Sequence, residues 1–155
     1  QESVVVRRML TAGLLHDIGK VAIPQSLLNK PARLTTEEFT KLMTHPVVGW
    51  EICKPLRTAQ SVLDCILYHH ERFDGSGYPE GLAGEKIPYQ ARLLAVADAL
   101  DALTSERAYR RSLSVDEAVE LLGQETDAGK WDPDIYAALT RLAERGQADP
   151  RRLEN

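Results

Sequence analysis

The chain has 155 residues, 43% hydrophobic and 27% charged, the size and balance of one ordinary globular domain rather than a disordered or fibrous chain. Its net charge of −4 argues against duplex DNA as a partner, and no run of about 18 apolar residues offers a membrane span. The opening "QESVVVRRML" lacks the regions of a signal peptide and enters helix-like sequence almost at once, without an initiator Met. The chain is therefore expected to be a piece of a longer protein.

Residues 3–18 carry Val5, Val6, Met9, Leu10, Gly13 and Leu14 at helical spacing, with a stop near Gly19. Thr35 and Glu38 form a Thr-x-x-Glu capping box that should open a helix. Pro46 and Pro55 bracket a further short one. Residues 58–70 form another, with Val62, Cys65, Ile66 and His69 on one side. Residues 71–88 are glycine-rich and read as a long structured loop of the kind that carries function. The run from Ala91 to Thr104 is a strongly apolar helix. Ser114 and Glu117 make a second capping box, opening a helix to about Leu122, and Asp132 caps another with Pro133 at its first position. Strand signals are nearly absent. An all-α, single-domain helical bundle is expected over residues 1–146, with a frayed tail over 147–155.

Cys53 and Cys65 match no zinc-ligand spacing and lie in apolar helical context. They read as reduced, packed thiols, which points to a cytoplasmic location.

The histidines are His16, His45, His69 and His70. His16 and Asp17 close an apolar helix, so both start from half-buried positions, where a carboxylate without a partner is costly. Asp98, within "LLAVADALDAL", faces the same difficulty. An arginine, a backbone cap or a metal would satisfy it, and carboxylates together with neutral imidazoles suit Fe, Mn or Zn. His69 and His70 are neighbours and cannot point the same way on a helix. They can touch different ions, or different sides of one cluster, so a site with more than one metal is expected.

Lys20 stands beside the His16–Asp17 pair. Arg107, Arg110 and Arg111 lie in "SERAYRRSL", which is either a solvated basic turn or a phosphate clamp. Gly75 and Gly77 permit backbone shapes or close approaches that other residues resist. Tyr78, before Pro79, is pushed toward extended geometry.

The motifs "HDIGK", "THP", "HHERFDGSGYP", "IPYQARLLAVADALDALTSERAYR" and "WDP", in that order from His16 to Pro133, together resemble the HD-GYP family of the HD phosphohydrolase superfamily. The resemblance implies a helical bundle of the HD type and a centre of two or three divalent ions, iron or manganese. It also implies hydrolysis of the bacterial second messenger cyclic di-GMP, to pGpG and/or GMP. Carried over by position, the metal ligands are His16, Asp17, His45, His69, His70 and Asp98, with Asp17 bridging. Lys20, Arg107 and Arg110 then meet phosphate oxygens, and Lys20 assists the leaving group. The loop with Gly75, Gly77 and Tyr78 borders the substrate pocket and is linked to GGDEF-domain partners. Members of that family supply an earlier His, often with a Glu, from an upstream helix. None of the first fifteen residues here is His, so that helix and a regulatory domain are expected before residue 1. Two rival readings are a non-catalytic cyclic-dinucleotide receptor or GGDEF-binding adaptor, and an HD enzyme acting on a mixed-base cyclic dinucleotide.

Overall fold

Each helix start that the sequence marks with a polar cap is made by that cap. Thr35 and Ser114 accept from the backbone N–H of Glu38 and Glu117 at 3.2 Å, and each glutamate carboxylate accepts the cap residue's own N–H, so both boxes are complete. Asp132 accepts from the N–H groups of Asp134 and Ile135. A computed structural model of the chain describes residues 3–106 and 111–148. The described residues form eight α-helices: α1 (Val4–Leu15), α2 (Gln25–Leu28), α3 (Thr36–Leu42), α4 (His45–Cys53), α5 (Gln60–Tyr68), α6 (Tyr89–Thr104), α7 (Val115–Asp127) and α8 (Pro133–Glu144). Short 3-10 turns occupy Ile18–Ala22, Lys54–Leu56 and Gly84–Lys86, and no strand occurs among the described residues. The fold is all-α and a single helical domain, as expected.

Some boundaries differ from the sequence reading. α1 ends at Leu15, and the chain turns through His16 and Asp17 into the 3-10 turn instead of continuing to residue 18. α7 runs past Leu122 to Asp127 with Gly123 inside it. A Cβ on Gly123 would lie 2.4 Å from the Tyr136 hydroxyl oxygen, so glycine there lets α8 approach. α2, one turn long, has no periodic signal in the sequence.

Two apolar clusters share α6. In the first, Ala12 of α1 packs with Val62, Leu63 and Ile66 of α5 and Leu94 of α6. In the second, Val96, Leu100 and Leu103 of α6 meet Ala118 and Leu122 of α7, Ile135 and Leu139 of α8, and Trp131. Side chains of this size stabilise by roughly 1.5–3 kcal/mol each when fully buried. The α5 stripe lies as expected, with Val62, Cys65, Ile66 and His69 at 2%, 1%, 0% and 0% exposure, so one helix face serves core and site together. The α1 stripe does not: Val5, Val6, Leu10 and Leu14 are exposed, and only Ala12 is buried in that helix. Cys53 and Cys65 are buried free thiols, and burial pushes Cys65 up to about 12. No described helix is long and apolar enough to cross a membrane.

Candidate metal centre

Asp17 sits at the turn between α1 and the 3-10 turn, which packs on the first turn of α4. The packing is tight because residue 19 is glycine: a Cβ there would fall 1.9 Å from the His45 carbonyl oxygen. The close approach brings His45 to Asp17, with His45 Nε2 at 3.3 Å from Asp17 Oδ1. His69 Nε2 lies 3.9 Å from the same oxygen. The other carboxylate oxygen, Oδ2, faces His16 Nε2 at 3.4 Å and the Lys20 ammonium. His16 Nε2 is also 3.6 Å from Asp98 Oδ1. Ligand atoms of Asp17, His45, His69 and His70 all lie within 4.8 Å of one another. The six residues expected to bind metal are thus brought together from the end of α1, the start of α4, the end of α5 and the middle of α6.

Three of the histidines are held in the same way. Nδ1 of His16, His45 and His69 lies 2.7, 2.7 and 2.9 Å from the carbonyl oxygen three residues earlier, that of Gly13, Leu42 and Ile66. A carbonyl can only accept, so Nδ1 carries the proton, and Nε2 of a neutral ring presents its lone pair inward. His45 Nε2 and His69 Nε2 consequently face each other at 3.4 Å. Two buried acceptors aimed at one point are satisfied by a cation between them, and imidazoles with carboxylate oxygens form a donor set suited to a divalent transition metal. The residues therefore fit such an ion.

With no ion bound, the electrostatics divide the histidines, His16 holding a proton that a metal would displace. Burial works against the charge of His16, but hydrogen bonds to Asp17 and Asp98, with the charge of Asp17, override it and raise its pKa to about 10. Burial likewise opposes the charge of Asp17, and contacts to His16, His45 and Lys20 outweigh it, so the carboxyl is held far below its usual range. Asp98 is lowered too, its bond to His16 prevailing over burial. His69 and His70 go the other way. Burial, reinforced by neighbouring imidazoles, lowers them to about 4 and about 2. At neutral pH they are uncharged, the form a metal requires.

The glycine-rich loop closes one side. Tyr78 stacks on His70, ring centroids 4.8 Å apart and planes 27° from parallel, and meets Phe39 edge-on. Burial raises its hydroxyl to about 12. The Tyr78–Pro79 peptide is cis. Gly75 has φ +82°, and a Cβ on Gly77 would fall 2.4–2.5 Å from backbone atoms of His70, Glu71 and Arg72. Both glycines thus shape the loop through the backbone. Lys20 reaches Asp17 from the 3-10 turn. Arg107 and Arg110 lie outside the described residues, and Arg111 is exposed.

Sequence reasoning missed Glu71. It is 2% exposed, and its two carboxylate oxygens accept the backbone N–H of Glu80 at 2.7 Å and of Leu82 at 3.0 Å. It ties the loop to the histidine-bearing end of α5. A carboxylate directly after two histidines was the available signal. Also missed was the pairing of Arg92 with Asp132, which joins α6 to the cap of α8.

A family model described as HD domain matches residues 2–135. The chain belongs to the HD domain family. It is 43% identical over 138 residues to a cyclic di-GMP phosphodiesterase of Pseudomonas aeruginosa, covering 88% of this chain and 33% of that one. It is 33% identical over 139 residues to 3'3'-cGAMP-specific phosphodiesterase 1 of Vibrio cholerae, covering 90% and 32%. The chain thus spans about a third of the length of these curated relatives. Among solved structures, an HDG"Y"P protein from Bdellovibrio bacteriovorus matches with a TM-score of 0.70 at 23% identity, over 90% of this chain and 44% of that one. That likeness is one of fold.

Proposed function

We propose that this chain is the catalytic domain of a metal-dependent phosphodiesterase that hydrolyses cyclic di-GMP to pGpG and/or GMP in the bacterial cytoplasm. The observation that carries the reading is the convergence on Asp17. One of its oxygens faces His45 and His69, the other faces His16, and Asp98 stands beyond His16. A carboxylate flanked in this way is suited to bridge ions. His45, His69 and His70 would hold one side of a centre of two or three iron or manganese ions, and His16 and Asp98 the other. Bound ions there would lower the pKa of a coordinated water toward neutrality and offset charge on a phosphoryl oxygen.

The chain's own residues have separate tasks. The three Nδ1–H bonds to carbonyl oxygens hold the imidazoles in one tautomer. Lys20 is within reach of Asp17 and can turn its ammonium to a phosphate oxygen or to the departing 3′ oxygen. Tyr78, over His70, forms a wall against which a base can lie. Arg107 and Arg110 are proposed as further phosphate contacts, and GGDEF-domain proteins as partners of the loop. The exposed α1 stripe of Val6, Leu10 and Leu14 supports the expectation of an upstream helix, with the additional His, packed against α1.

A second reading, hydrolysis of a mixed-base cyclic dinucleotide, is favoured by the relative named for 3'3'-cGAMP. The test is an anaerobic assay of the iron- or manganese-loaded protein with each dinucleotide, products separated by chromatography. Linear products from cyclic di-GMP are expected. Turnover of cGAMP alone would favour the second reading, and turnover of neither would remove the enzyme.

A further inference from the structure

Arg72 follows the paired histidines by two positions and has no task in the scheme above. Its guanidinium carbon lies 4.4 Å from the centroid of the Trp131 ring, and the residue is half-buried. Its side chain donates to the Glu71 carbonyl oxygen at 3.3 Å, a long bond. Other cations hold carboxylates: Lys20 has Asp17, Arg92 has Asp132 and Lys130 has Glu125. Arg72 forms no such pair among the described residues. Glu125, whose charge also bears on Arg72, is already engaged by Trp131 Nε1–H at 2.7 Å and by Lys130.

The position of Arg72 gives the missing counter-charge a direction. Its backbone N would touch a Cβ on Gly77, so it sits directly beneath the loop that carries Tyr78. Its charge is felt at Tyr78 and Asp98, then at Glu125 and Asp74, and it bears on His70; Tyr78, His70 and Asp98 belong to the loop, to the turn after α5 and to α6. These are the walls of one site. A guanidinium partly withdrawn from water without a carboxylate is held less favourably than a paired one, and an anion completes it. Stacking on an indole fixes its plane and leaves N–H groups along its edge, the arrangement that suits a tetrahedral oxyanion.

We propose that Arg72 is a phosphate-binding residue of this site, with Trp131 setting the plane in which its N–H groups meet a substrate phosphate oxygen. The assignment rests on the phosphodiesterase reading, and two measurements separate their fates. On manganese-loaded protein, KM and kcat for cyclic di-GMP are determined for wild type, Arg72→Met and Arg72→Lys, and pyrophosphate binding is followed by calorimetry. Arg72→Met is expected to raise KM and weaken pyrophosphate about ten- to hundred-fold, the loss of one charge-assisted hydrogen bond, with metal content unchanged. Arg72→Lys, with the charge but not the fork, should recover part of both. Unchanged KM and pyrophosphate affinity in Arg72→Met would overturn the proposal. So would a loss of Tm and metal content with KM unaltered, the outcome of a purely structural stack. If wild type fails to cleave the dinucleotide yet binds pyrophosphate in an Arg72-dependent way, the functional reading falls and the Arg72 assignment stands.

Discussion

Replacing Glu71 with Gln keeps the volume of the side chain and removes its charge. In the wild type, both oxygens accept backbone N–H groups, from Glu80 and Leu82, at a residue with 2% exposure. Gln retains one acceptor, and its NH2 must face the other N–H, donor against donor. One charge-assisted bond is then lost, at about 1.5–3 kcal/mol, and the other becomes an ordinary bond of roughly 1 kcal/mol. The expected cost is about 2–4 kcal/mol. Glu71→Ala should cost more, since both N–H groups lose their acceptor and a cavity opens. Urea unfolding of the metal-free protein measures the difference, provided the slope of the transition is unchanged. Hydrogen exchange at the Glu80 and Leu82 amides locates it. Unfolding free energy within about 0.5 kcal/mol of wild type, with those two amides still protected, would refute the anchoring role.

Asp17→Ala should abolish turnover and lower metal content while helix content stays near wild type by circular dichroism; near wild-type activity would remove the bridging assignment. Gly19→Ala places a Cβ 1.9 Å from the His45 carbonyl oxygen, so α4 must shift, and a loss of about 1–3 kcal/mol in unfolding free energy is expected together with weaker metal binding by titration; an unchanged melting temperature would contradict the packing. Arg92→Met leaves Asp132, at 5% exposure, charged and without its cation, its Oδ1 still capping α8, which should cost about 3 kcal/mol by denaturant unfolding; a loss well below that would show that the pair is dispensable. In chelator, stability should peak near pH 6.5. His16, raised to about 10, contributes fully below its unfolded value of 6.5, and that contribution is lost as pH rises toward 10. His69 and His70, lowered to about 4 and about 2, bind more protons when unfolded, so stability also falls as pH drops below 6.5. A curve of melting temperature against pH that is flat from 5 to 9 would refute this balance.

Legibility in the sequence followed the range of the interactions. Thr35 with Glu38, Ser114 with Glu117 and Asp132 with Ile135 join residues three apart, so local spelling alone marks where α3, α7 and α8 begin. The period of α5 likewise announces its buried side. The histidines and aspartates stood out as candidate ligands by residue type, the resemblance of the ordered motifs to a family supplied the full set, and the fold brings Asp17, His45, His69 and His70 together. Other features depend on that path. The Arg92–Asp132 pair spans forty positions, and neither residue signals the other along the chain. Gly19 looks like a helix stop until the His45 carbonyl is found against it, and nothing local explains Gly123 until Tyr136 is found against it. The α1 stripe has the spacing of a buried face, yet periodicity says only that a face exists, and packing decides whether it is covered. Glu71 and Arg72 carry no local signal of burial. Only the folding of the loop over α5 and against Trp131 withdraws them from water, Glu71 almost wholly and Arg72 in part, and desolvation is what makes such a charge depend on its partners.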